Sequence, residues 1–315
     1  MNLVVAIISF TILLAFFIIG HVLLYIANIK SNVNPFYSAF VKLIIGLFAS
    51  IFFFAIYKTG GNTVLWLVAI LPMISYILLR KNSPWENRQT SLKKELQQIN
   101  IYTILAMAFF VIIFTALASF FFYNEPFNSV PHGDYYYYSK LIYTMKLKGV
   151  ESNIPLINPF YEGKIGAMPY HFPELWLAVI ISELFNVLPL ESIVVYVQVI
   201  LATILAMGIL ALSFSITKSK FIHITAIISL FFSGILFVII IPQMKSFIDF
   251  GNAYTPKYAM ISLMFIWSAI LFLKQDKLYY LPLLALPIIN IALAPAIFPS
   301  LILFWILKSI TGRSI

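Results

Sequence analysis

Pro131-His132-Gly133-Asp134-Tyr135-Tyr136-Tyr137-Tyr138-Ser139-Lys140 lies within the one long polar interruption of this chain, Phe122 to Pro173. On both sides the sequence is almost continuously apolar. A membrane span needs about 20 apolar residues, and the interruption is too polar to be one. The groups suited to chemistry are gathered here. They are His132, Asp134, the tyrosine run, several lysines, and then Pro169-Tyr170-His171-Phe172-Pro173-Glu174.

Composition sets the class. The chain has 315 residues, 62% hydrophobic and 10% charged, against about 25% charged in a soluble domain. Such a chain cannot cover itself in water, so it reads as a polytopic membrane protein. It has no cysteine, which excludes disulfides, thiolate metal sites and cysteine nucleophiles. The net charge of +9 sits in short clusters between apolar runs. That pattern serves orientation against anionic lipid and does not point to nucleic acid. The N-terminus has no basic lead-in and its apolar run is long, so it reads as a first span and not as a signal peptide.

The fold class expected is all-α, a transmembrane helical bundle of about nine spans. Residues 1–100 form an N-terminal unit with spans Leu3–Ala27, Phe40–Tyr57 and Thr63–Leu79. It closes with a basic connector from Arg80 to Gln98. Residues 101–315 form the core, with an outer loop over 124–190. Its spans are Ile101–Tyr123, Ile193–Ile216, His223–Ile241 and Tyr258–Leu273. Leu278–Leu307 reads as a hairpin broken near Asn290 to Pro295, because proline removes backbone donors.

Phe172–Leu188 is the ambiguous segment. It is apolar but short, and carries Glu174, Ser182, Glu183 and Asn186. If it lies in the interface, most of the 20 lysines and arginines fall on the inner side. If it spans, every later loop flips and fewer than half do. The positive-inside rule selects the interfacial alternative. It also puts the N-terminus and the long loop on the outer side.

Within that loop, Tyr138, Leu141, Ile142 and Met145 recur at helical spacing, with Lys140, Thr144 and Lys148 on another side. This predicts an amphipathic helix on the membrane surface with tyrosines at headgroup level. Asp134 at its start fits an N-cap first, with a general base or metal ligand as the functional alternative. His132 fits an interfacial histidine bonded to backbone or water first, with a partner of Asp134 as the alternative. Lys140, Lys146, Lys148 and Lys164 form a basic rim, either a solvated face or a seat for a lipid phosphate. No Gly-rich phosphate loop, nucleophile elbow or His-Glu-x-x-His occurs.

The order of these parts resembles the GT-C membrane glycosyltransferases. This group includes protein O-mannosyltransferases, lipid A aminoarabinose transferases and the catalytic oligosaccharyltransferase subunit. The matching pieces are His132-Gly133-Asp134-Tyr135, then Pro169-Tyr170-His171-Phe172-Pro173-Glu174-Leu175, then Leu184-Phe185-Asn186-Val187 through Leu201 to Lys218. The likeness covers Ile101 to Lys220 best. It implies a polyprenyl-phosphate sugar as donor, an acceptor on the outer face, and a plasma-membrane location in the cell envelope. It implies that Asp134 is the catalytic carboxylate, acting as a base or helping to bind a divalent cation such as magnesium or manganese. It implies that Asp249 sits where some members place a second acidic group and that Tyr170 and His171 help shape the donor and acceptor cavity; His132, Tyr135 and the basic Lys140, Lys164 and Lys257 are the further candidates for substrate binding. Two features depart from the family. Tyr135 and Tyr136 follow Asp134 where many members carry a second acid. The chain also stops soon after Lys308, as a C-terminally shortened core. The rival readings are a glycan polymerase or ligase, and a non-enzymatic transporter or assembly protein.

Overall fold

A computed structural model describes residues 3–27, 34–60, 100–123, 134–150, 152, 172–228, 256–276, 278–289, 297–300, 302, 303 and 306. The described residues form helices and their connecting turns, with no strand among them. Among the described residues, four helices are long and apolar enough to cross a membrane. They are α1 (Leu3–Ile26), α2 (Pro35–Gly60), α3 (Ile101–Tyr123) and α6 (Pro189–Ile216). Between them lie α4 (Asp134–Lys148) and α5 (Phe172–Leu184), and after them α7 (Pro256–Leu273) and α8 (Leu281–Ile289). A further helical segment covers 220–228.

Local chemistry sets the helix ends. Asn34 caps α2: its side-chain oxygen accepts from the Phe36 amide at 2.9 Å, and Pro35 takes the first helical position. Asn100 does the same for α3, accepting from the Tyr102 amide at 2.9 Å. α2 thus begins before Phe40, where apolar content alone places its start. α7 ends in a Schellman turn. Gln275 takes φ 57°, and the Asp276 amide donates to the Leu271 carbonyl at 3.0 Å. Inside the spans, Thr203 donates back to the Val199 carbonyl at 2.8 Å and Ser215 to Ala211 at 2.8 Å. Hydroxyls in apolar surroundings satisfy themselves this way.

α1 and α2 approach at backbone contact. A Cβ on Gly20 would collide with the Lys42 carbonyl oxygen, and one on Gly46 with that of Phe16. Small residues permit this distance, and van der Waals packing then holds the pair where lipid supplies no hydrophobic drive. α6 is the central mast. Its apolar window is 83% buried, against 33–44% for α1, α2 and α3. Phe40, fully buried, fills the space above Gly208 on α6. After a first α-helical turn, α6 carries a π-helical stretch, Ser192–Val197, whose six residues are all buried.

Side-chain bonds show which helix ends share a side. Lys58 at the end of α2, Lys146 near the end of α4 and Glu183 near the end of α5 meet at one end. Phe36 and Tyr37 at the start of α2 meet Phe214 near the end of α6 and Lys274 just past α7 at the other. α6 and α7 therefore run opposite to α2. α5 ends on the α4 side, where α6 begins. With 13 residues it is about 20 Å long, too short to cross.

Two expectations change. α5 is enclosed by protein rather than laid open as a surface helix: Pro173 to Ser182 are buried without interruption, Glu174 among them at 3% exposure. A helix apolar on all sides seeks protein on all sides, and α2, α4, α6 and α7 supply it. The apolar stripe of α4 likewise packs on α5 and the start of α6, and so is not laid on lipid. Of the other expected spans, Thr63–Leu79 lies outside the described residues, as does the break near Asn290 to Pro295. His223–Ile241 is described only to residue 228.

Candidate functional site at the Lys58 end

Asp134 is the first residue of α4 and is exposed. The helix behind it is firmly seated. Tyr135 is 4% exposed and its ring stands edge-on to Tyr138, centroids 5.9 Å apart at 89°. Leu141, Ile142 and Met145 are fully buried beneath it. The tyrosine run therefore divides. Tyr135 enters the core, Tyr136 is 57% exposed, and Tyr137 and Tyr138 are half-buried against one another. Lys140 is exposed.

The far end of α4 is locked by a polar junction. Lys58 pairs with Glu183 at 2.6 Å and also donates to the Lys146 carbonyl at 3.3 Å. Lys146 donates to the Ser182 carbonyl at 2.9 Å and reaches its hydroxyl at 3.4 Å. Ser182 in turn donates from its hydroxyl to the Val187 carbonyl at 2.8 Å. This closes the turn after α5, where Asn186 takes φ 53°. Gly149 ends α4 at φ 70°, and a Cβ there would strike the Lys58 carbonyl oxygen. Two cations and one anion thus bind three helix ends. Lys58 also places positive charge at the carbonyl end of α4, where the helix dipole favours it.

Most of this junction was missed from the sequence. Lys58 reads only as the end of a span, and Lys146 as one more residue of a basic rim. The available signal was Glu183. A carboxylate in an otherwise apolar segment needs a cation, but nothing local names Lys58 as its partner.

The structure brings together Asp134, Tyr135 and Lys140 on one helix. Lys257 falls in the first turn of α7, with its backbone alone described. His132, Lys164, Tyr170, His171 and Asp249 lie outside the described residues. So do Glu151 and Glu162, and among the described residues no group of three or more His, Asp or Glu side chains is placed to hold a metal.

The opposite end carries a second set of polar groups. The Lys274 ammonium sits 3.2 Å from the centre of the Tyr37 ring, and the Trp267 indole bonds the Tyr37 hydroxyl. Burial pushes the Lys274 amine down to about 8, against an opposing pull from Asp276. His223 Nδ1 lies 3.1 Å from the Ser213 hydroxyl, which itself donates to the Leu210 carbonyl at 2.9 Å. The imidazole therefore donates from Nδ1. This end has an exposed carboxylate of its own, Asp276, whose side-chain oxygen accepts from the Leu278 amide at 2.9 Å in the turn before α8. Comparison with protein-family models, curated proteins and solved structures gives no match for this chain.

Proposed function

We propose that the chain is a membrane glycosyltransferase of GT-C type that uses a polyprenyl-phosphate sugar as donor. The observation that supports this most is Asp134, an exposed carboxylate at the head of a helix whose body and far end are immobilised. A base must be held in place to act on a bound hydroxyl, and α4 offers that at one end of a membrane bundle. The proposal includes about nine spans, a plasma-membrane location, and an outward-facing N-terminus and Asp134 end.

In this reaction the acceptor hydroxyl oxygen bonds to the anomeric carbon of the donor sugar. Its proton passes to Asp134. The bond from that carbon to the phosphate oxygen breaks, and its electron pair leaves with the lipid phosphate. Lys164 and Lys257 stabilise the growing phosphate charge, and Lys140 draws the lipid phosphate to the surface. His132, Tyr170, His171 and Asp249 shape the cavity for donor and acceptor. Where a magnesium or manganese ion takes part, Asp134 is the carboxylate that holds it.

The test is transfer from labelled polyprenyl-phosphate sugars in membranes holding equal amounts of wild type or Asp134→Asn. The expected loss in the variant is about 100-fold or more, the range for removal of a general base. Undiminished transfer by Asp134→Asn removes Asp134 from the mechanism. Absence of transfer by both proteins from every donor overturns the enzymatic reading.

A further inference from the structure

α4 has two faces, and the core covers one of them. Tyr135, Leu141, Ile142 and Met145 face inward and are buried. Half a turn away, Tyr136, Lys140, Tyr143 and Leu147 form a second stripe at i, i+4, i+7 and i+11. Tyr136, Tyr143 and Leu147 are 57%, 55% and 63% exposed, and Lys140 is exposed beside them. A helix face turned to water has no physical reason to present two aromatic rings and a leucine. The same set suits a bilayer boundary, where ring bodies and lysine stems bury while hydroxyl and ammonium tips stay wet.

The height of the helix agrees. Lys58 closes the apolar window of α2, and its ammonium bonds the Lys146 carbonyl of α4. The end of α4 is thereby fastened at the level where a membrane span stops. Charge agrees as well. Lys140 within the stripe and Lys148 beyond it are exposed cations, while the single acid of this helix is Asp134 at its start.

We propose that the Tyr136–Lys140–Tyr143–Leu147 face of α4 rests on anionic bilayer lipid. The two rings and Leu147 lie at the boundary between headgroups and acyl chains, and Lys140 meets lipid phosphate. The buried stripe, though more apolar, is committed to protein. This lipid contact does not depend on the transferase reading and is measurable in a protein with no transfer activity.

The test uses the absence of cysteine from the chain. Single substitutions Tyr136→Cys, Tyr143→Cys and Leu147→Cys carry a nitroxide label, in vesicles of phosphatidylcholine alone or mixed equally with phosphatidylglycerol. Ser219→Cys, in an exposed turn, marks water, and Ile18→Cys, on the exposed face of α1, marks the acyl interior. The expected ratio of oxygen to nickel-chelate collisions at 136, 143 and 147 is several-fold above that at 219 and below that at 18. Phosphatidylglycerol moves these labels deeper, and Lys140→Gln abolishes that movement. Ratios equal to that at 219 identify a water-facing stripe and overturn the proposal. Labels that neither reagent reaches identify cover by protein and overturn it equally. Depths indifferent to phosphatidylglycerol remove the phosphate role of Lys140.

Discussion

The two ends of the bundle are tied by different forces. At the Lys58 end, α2, α4 and α5 are joined through charge and directed hydrogen bonds: Lys58 to Glu183, Lys58 to Lys146, Lys146 to Ser182. At the Lys274 end, rings do most of the joining. Phe36 stacks on Phe214 with centroids 5.1 Å apart and planes 4° from parallel. His223 covers the same Phe214 at 3.7 Å, and Lys274 sits over Tyr37. A directed polar junction admits few arrangements, because every misplaced partner leaves a poorly solvated charge. Ring contacts are broader in geometry and lose less when one member changes. The polar junction holds the far end of the helix that Asp134 begins.

The largest expected effect tests that contrast. Glu183→Ala strands Lys58 in a site where its side chain is only 19% exposed. It should destabilise the chain by about 2 kcal/mol, below the range for a fully buried pair. The double variant Lys58→Met with Glu183→Leu should recover most of that loss. Thermal unfolding in detergent reads both, and an unchanged midpoint for Glu183→Ala removes the junction as the stronger tie. Next is Ser182→Ala, which deletes the bond to the Val187 carbonyl and one acceptor of Lys146. About 1 kcal/mol is expected, together with faster proteolysis of the turn at Asn186.

The smallest effect belongs to the other end. Lys274→Met removes a cation–π contact worth about 0.5–1 kcal/mol but also a half-buried charge, so the midpoint at neutral pH should barely move. Its signature is in the pH profile. The folded chain holds the Lys274 proton less tightly, at about 8 against an ordinary 10.5. Between those values the unfolded chain binds more protons, so wild-type stability gains from this residue as pH rises through the window. Lys274→Met lacks that gain. Melting curves from neutral pH upward that are parallel for the two proteins contradict the buried-amine picture.

Much of the helical layout was legible in the sequence. Ile101–Tyr123 and the start of α1 agree with the apolar runs to the residue, and α4 covers Asp134–Lys148, where the helical spacing places a helix. These features depend on length, periodicity and end chemistry, all written locally. The neighbours of α5 were not legible. Its ten buried residues from Pro173 to Ser182 read the same whether lipid or protein surrounds them, since both are apolar. The same equivalence hid whether protein or lipid covers the apolar stripe of α4. Of the candidate site, Asp134 and Lys140 were visible as residues, whereas the lock that holds their helix was not.

Sequence alone therefore determined that this is a helical membrane protein, where α1 and α3 lie, and that polar residues gather after Tyr123. These follow from hydrophobic length and from the energy of burying unsatisfied backbone in lipid. Tertiary structure alone decided that α5 is enclosed and that Lys58 answers Glu183. It also decided that Tyr136, Tyr143 and Leu147 face outward. The partners of these groups come from distant parts of the chain, and an apolar surface carries no mark of whether protein or lipid will cover it.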